Sequence, residues 1–372
     1  MASPNSPTLV GVRALLVLLA LTLALAACGD GYESRSGNVF EAHVTREISA
    51  TDVATPDGAK QLTQRVEIEL DGSLYRGDRV ELGWGGRVPI TRNGLLRVGD
   101  RVLVSQRRAD DGSREYAIEE VVRLSSLAPV AGAALLALLA VARLKGLTSI
   151  IGLAASIAVF LIVVVPALQR GEDPLVSTLI GSALILVATV YLVHGPNRKS
   201  TAALAGTTVG LGVVAGLGAL GIALSRVTGL GDEERVFLAV GTGFGIDMPK
   251  LVLAGIIVAS LGALVDMAIG QASTTFELAS IDRALRGRAL YSSALNVGRD
   301  HIGSLVNTLA LAYFGGALPL ILLLSLGDRP LAVALNGETI AVSLLGVLAA
   351  TCGLVVAVPV TTLAAVALVR SR

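Results

Sequence analysis

Residues 251–271 read LVLAGIIVASLGALVDMAIGQ, and this run decides the fold class. It is apolar throughout and carries one ionisable group, Asp266. A run of about 20 such residues is the length of a membrane-spanning helix. Gly255, Ala259, Gly262, Asp266, Gly270, Ser273 and Glu277 follow one another at intervals of three or four, so they share one helical face. That stripe is small or polar, while its flanks are Leu, Ile, Val and Met. After a basic connector holding Arg283, Arg286 and Arg288, the device recurs with Asn296, Asp300, Gly303, Asn307 and Ala310. A carboxylate inside lipid costs roughly 2.5–3.5 kcal/mol on insertion scales. Asp266 is therefore expected to face protein or water. Gly255, Gly262 and Gly270 are expected to let a second helix come close.

Working outward, the rest of the chain fits the same class. Of its 372 residues 53% are hydrophobic and 16% charged, against about 25% charged in soluble domains. The deficit lies after Leu124, which predicts an α-helical polytopic membrane protein carrying a small all-β insert. A net charge of +1 gives no reason to expect a nucleic-acid partner. His43, His194 and His301 fall in different segments and have no metal-ligand spacing, and no cofactor motif is expected. The two cysteines, Cys28 and Cys352, close the first apolar run and lie inside the last. A disulfide between them is not expected.

The N-terminal part, 1–28, has one basic residue, Arg13, and then an apolar run from Ala14 to Leu25. This suits a signal peptide or N-terminal anchor. Its end, Leu25-Ala26-Ala27-Cys28, resembles a bacterial lipobox, which makes Cys28 a candidate lipidation site. An uncleaved anchor with a chance cysteine is the alternative. Residues 31–123 alternate in short runs at 39–45, 62–70, 79–84, 101–107 and 116–122. Turn-rich pieces such as Thr55-Pro56-Asp57-Gly58 and Ala109-Asp110-Asp111-Gly112 separate them. In both Gly77-Asp78-Arg79-Val80 and Gly99-Asp100-Arg101-Val102 a Gly-Asp turn feeds a strand. An antiparallel barrel, OB-like, outside the membrane is the expectation.

From 125 to 372 seven spans are expected, near 125–144, 147–168, 175–193, 201–224, 251–271, 302–326 and 340–368. With the β domain outside, the inner side carries Arg143, Lys145, Arg198, Lys199, Arg283, Arg286, Arg288, Arg299, Arg370 and Arg372. The outer side carries only Arg170, Arg226, Arg235, Lys250 and Arg329, mostly beside acidic residues. The positive-inside rule then predicts a cytoplasmic C-terminus and an external β domain in a bacterial plasma membrane. The span from 201 is glycine-dense, and its pairs Gly206/Gly210 and Gly212/Gly216 would permit close helix contact. Residues 236–249 are too short to cross and predict a re-entrant turn or surface helix. Their Gly241-Thr242-Gly243 lacks the preceding strand and the lysine of a phosphate loop.

At about 1.5 Å per residue, Asp266 lies about 24 Å below Lys250. Its depth falls between those of Asp300 and Asn307. Asp266, Asp300, Asn307, Asn296 and Ser304 are thus the candidate ion- or solute-binding residues of a transporter. The alternative is a non-transporting platform whose β domain docks a protein partner. An intramembrane aspartyl protease is disfavoured, because Gly245-Ile246-Asp247 lacks the adjacent Gly-Asp and sits at the opposite edge from Asp266.

Gly262-Ala263-Leu264-Val265-Asp266-Met267-Ala268 resembles the Gly-Ala-x-x-Asp-x-Ala element of the YibE/F-like bacterial membrane proteins. Asn296-Val297-Gly298-Arg299-Asp300, Asn307-Thr308-Leu309 and Ala312-Tyr313-Phe314-Gly315 are similar to that family's next element, and Val358-Pro359-Val360-Thr361 to its closing one. The resemblance covers roughly Val39 to the C-terminus. It implies an N-terminal hydrophobic segment, an external β domain and a helical membrane domain, and it names no substrate. His301 stands where the family usually has an aliphatic residue, and Cys28 is not one of its hallmarks.

Overall fold

A computed structural model describes residues 39–54, 60–71, 77–85, 89–108, 113–243, 245–326 and 330–370. The leader and Cys28 lie outside the described residues. The chain divides into two units, Met1–Leu144 and Lys145–Arg372.

In the first unit, five antiparallel strands form one sheet. They are β1 (Val39–Ala54), β2 (Lys60–Leu70), β3 (Arg79–Trp84), β4 (Arg101–Arg108) and β5 (Arg114–Val121), in the order β3-β2-β1-β4-β5. Alternation does the sorting. Val66, Ile68 and Leu70 on β2 are buried with Phe40, Val44, Val102 and Val104, while Glu67 and Glu69 between them meet Arg46 and Arg79 on the other face. Gly77 (φ 94°) and Gly99 (φ 92°) both make left-handed turns ahead of a strand, a conformation that costs glycine nothing. Gln64 ties in the 3-10 segment Arg92–Gly94: its Nε2 donates to the Leu96 carbonyl and its Oε1 accepts from the Leu96 amide, both at 2.8 Å. β1 runs nine residues past the expected 45, because Glu47–Ala54 pair with β2 as the arm of a long hairpin. The edge strands β3 and β5 approach one another.

Helix α1 (Leu124–Arg143) closes that unit, and Arg143, at φ 53° and ψ −129°, ends it. The second unit holds α2 (Lys145–Gln169), α3 (Pro174–His194), α4 (Arg198–Ser225), α5 (Glu233–Gly241), α6 (Met248–Ile281), α7 (Gly287–Gly316), α8 (Leu318–Leu326), α9 (Leu331–Leu335) and α10 (Glu338–Arg370). Among the described residues six helices are long and apolar enough to cross a membrane, or seven if α7 and α8 count as one span. That pair is bent by 60°. Pro319, in the first turn of α8, explains the break, since proline cannot continue the preceding hydrogen-bond ladder.

The helix starts are written in the sequence. Asp173 caps α3, accepting from the Leu175 and Val176 amides, and Asn197 caps α4 through Ser200. Asp247 caps α6 through the Lys250 amide. Each satisfies an amide that the first helical turn leaves without an internal partner.

Two boundaries differ from expectation. α6 continues past 271 to Ile281, and α7 begins at Gly287 rather than 302. The expected connector is therefore mostly helix, and only five residues separate α6 from α7. The extension pays its way by packing: Ala272 and Thr275 are fully buried.

α4, α6 and α10 form the centre of this unit, with α3 and α7 also packed on α6. Leu211, Val214, Ile257, Leu264, Leu354 and Val358 fill the space between them. The backbones come close where glycines allow it. A Cβ on Gly210 would fall 2.9 Å from Ala357 Cβ and from the Gly353 carbonyl. One on Gly206 would overlap the Thr361 hydroxyl. Of the two expected pairs, Gly206/Gly210 seats α10, whereas nothing lies within 4 Å of the corresponding point on Gly212 or Gly216.

Candidate functional site

The stripe on α6 exists as a face, and it is open. Gly255, Ala259, Gly262 and Asp266 are exposed, while Leu264, Val265, Met267 and Ala268 around them are buried. A Cβ on Gly255 or Gly262 would meet nothing within 4 Å, and one on Gly270 only His301 Cε1 at 3.8 Å. The expectation that these glycines seat another helix is therefore corrected for Gly255 and Gly262 in a single chain, while Gly270 has His301 of α7 beside it. The larger residues between them already turn the other faces of α6 toward α4 and α10.

Asp266 makes no hydrogen bond or ion pair among the described residues. Its electrostatic neighbour is His194, the last residue of α3, and His194 in turn senses Lys145 at the start of α2. His194 was not a sequence candidate. Depth carried the signal. Asp173 and Lys250 are joined at 2.5 Å near the starts of α3 and α6. Counting from that shared level at 1.5 Å per residue, Asp266 lies about 24 Å along α6 and His194 about 30 Å along α3.

On α7 the buried positions are Gly287, Leu290, Ala294 and Gly298. A Cβ on Gly298 would fall 2.7 Å from Gln271 Oε1 and from Val358 Cγ1, so this face meets α6 and α10. Asp300 is two residues on, about 200° around the helix. It is exposed, as are Asn296, Ser304 and Asn307. Asn296 Oδ1 accepts from Arg299 on its own helix at 3.1 Å. No hydrogen bond or ion pair joins Asp300, Asn307, Asn296 or Ser304 to Asp266 among the described residues. The α7 residue brought toward the Asp266 face is His301, through Gly270.

Below Asp266, Gln271 makes the polar junction that sequence reading passed over. It is 2% exposed, and its Nε2 donates to the Ala294 carbonyl at 2.9 Å and to Thr362 Oγ1 at 2.7 Å. One amide thus ties α6 to both α7 and α10. At the other end, the Lys250 ammonium donates to Asp173, and this contact, with the Val176 amide, holds the Asp173 carboxyl below its usual value.

Near that end the α6 face enters a cavity of about 530 Å³. Gly255 and Ala259 lie in its wall, with Phe160 of α2, Thr178 of α3, Arg235 of α5 and Tyr313 of α7. Of the 236–249 segment, 236–241 end α5 and 248–249 begin α6; Phe237 is 83% exposed and Ala239 fully buried, so α5 turns one side outward. Asp247 caps α6, about 28 Å along the helix from Asp266, too far for an aspartyl pair. Among the described residues no three His, Cys, Asp or Glu side chains cluster as a metal site.

A carboxylate with an imidazole in electrostatic reach, on a slim helix face and outside any hydrogen-bond network among the described residues, can take up and release a proton or a small cation.

A family model described as YibE/F-like protein matches residues 130–371. No curated protein and no solved structure matches the chain.

Proposed function

From the premise that this chain belongs to the YibE/F-like family, we propose that it is a multi-pass protein of the bacterial plasma membrane that moves a proton or small cation along the open face of α6. The observation that carries the reading is Asp266 itself, exposed on that face, without hydrogen-bond partners among the described residues, and within electrostatic reach of His194. An ionisable group among membrane helices is expensive unless it lines a watery or protein path, and it commonly marks an ion route. The small residues Gly255, Ala259 and Gly262 leave room beside it, and the cavity at the α5 end continues the same face. In this proposal Asp266 and His194 carry the charge. Asp300, Ser304 and Asn307, on the exposed side of α7, form the polar approach. The orientation follows the distribution of Lys and Arg: β domain outside, C-terminus in the cytoplasm.

The test is flux in proteoliposomes loaded with a pH dye or a sodium dye. Wild type should exceed empty vesicles. Asp266→Asn should lower the rate at least tenfold, and His194→Gln should shift its pH dependence. Equal rates for wild type, Asp266→Asn and empty vesicles would remove the transport reading.

A second reading is favoured by the β unit. Its five antiparallel strands, in the order β3-β2-β1-β4-β5, bring the edge strands β3 and β5 near one another, which supports an OB-like barrel, and it has a core of its own. Such a module can dock a protein partner without any transport. Loss of a cross-linked partner on deleting 39–121, with flux absent throughout, would favour it.

A further inference from the structure

We propose that the cavity at the α5 end of the α6 face is a binding site for one amphiphile with a single anionic head. The proposal rests on the membrane reading of the helices and not on transport. The walls are apolar over most of their area, with Phe160, Val164 and Val342 among them, which suits a hydrocarbon chain. At about 530 Å³ the space is of the size that takes one small ligand.

One wall residue is cationic. Arg235 also lines the cavity, and its Nε reaches Asp232 at 3.2 Å, while its Nη1 is buried with no hydrogen-bond partner among the described residues. A guanidinium offers donors in a planar fork suited to carboxylate or phosphate, and the Arg235 side chain is 30% exposed, so it can turn one edge to a head group while Nε holds Asp232. Tyr313 brings a phenolic hydroxyl to the wall. The hydroxyls of Thr339 and Ser343 already donate elsewhere, to the Gly231 and Thr339 carbonyls, so they offer only acceptor lone pairs. The anionic head therefore belongs at Arg235, the cationic residue of the wall.

Access fits the same occupant. α5 carries Arg235 on one side and exposes Phe237 and Val240, at 83% and 63%, on another. A short helix of that kind lies at the boundary of lipid and water, where amphiphiles present their heads.

The probes are oleate, dioleoyl phosphatidylglycerol and dioleoyl phosphatidylcholine, added to the full-length chain in a neutral detergent and read as bound adducts by native mass spectrometry. Wild type should retain one anionic molecule at least tenfold better than phosphatidylcholine. Preference for oleate assigns an acyl carboxylate, and preference for phosphatidylglycerol a phosphate-headed lipid. Arg235→Gln should remove the preference, Arg235→Lys should keep part of it, and Ala259→Phe, which fills the cavity, should remove both anionic adducts. Equal retention of charged and zwitterionic lipid by wild type, or an undiminished preference in Arg235→Gln, overturns the site. A chain that stays dispersed with no detergent at all would instead count against the membrane reading.

Discussion

α4 and α6 both carry a line of small residues, and they use it in opposite ways. Gly206 and Gly210 on α4 are buried against α10, where Gly353, Ala357 and Thr361 recur every four residues to receive them. Gly255 and Gly262 on α6 look into open space. A slim face permits close approach and does not compel it. Close approach needs a second slim face in register, and α10 supplies one for α4. Among the described residues the α6 face has no such counterpart at Gly255 and Gly262, and it is on that face that the chain keeps Asp266.

The largest expected effect tests this contrast directly. Gly206→Leu should force α4 away from α10 and cost about 3 kcal/mol or more, since added methylenes in a packed core already cost 1–3 kcal/mol. Gly262→Leu should cost well under 1 kcal/mol, as surface changes do. Thermal unfolding in detergent, followed by helix signal, would measure both. Similar losses for the two would erase the distinction between closed and open faces. Next in size is Gln271→Leu, which removes two hydrogen bonds at the α6–α7–α10 junction. A loss of about 1–3 kcal/mol is expected. Because Gln271 lies just past Asp266, the variant also sharpens the comparison: stability should fall while any flux through the open face persists.

Hydropathy alone made the long apolar helices legible, because about 20 apolar residues in a row have few other uses. The β strands were legible for a similar reason, as the alternation at Val66, Ile68 and Leu70 can be satisfied only by a sheet with one buried face. The length of α6 was not. Residues 272–281 are less apolar than those before them, and they are held helical by burial of Ala272 and Thr275 rather than by hydropathy. The bend at Ala317 was legible in Pro319, had the break been weighed against the apolar run. The site was legible only by half. A stripe from Gly255 through Asp266 to Glu277 follows from spacing, but which side of α6 looks outward depends on α4 and α10. His194 needed the further knowledge that α3 lies against α6.

The smallest effect concerns how the wall of the open face is held. α3 is tied to α6 at its start by Lys250 donating to Asp173, and not by glycines in the manner of α4 and α10. That contact lowers the Asp173 carboxyl from its ordinary 3.8. A depressed carboxyl contributes stability at pH values above its unfolded titration and loses it as pH falls through the lower folded value. The tie should thus be intact from neutral pH down to about pH 5 and fade below about pH 4. Hydrogen-exchange protection of the first turn of α3 would report it. Asp173→Asn retains the helix cap but removes the charge, so at pH 6 it should reproduce the loosening that wild type reaches only in acid. Protection across α4 and α10 should stay level in both cases. A parallel loss there would mean that the open and closed faces of α6 unfold as one unit, and the distinction between them would be one of contact alone, not of stability.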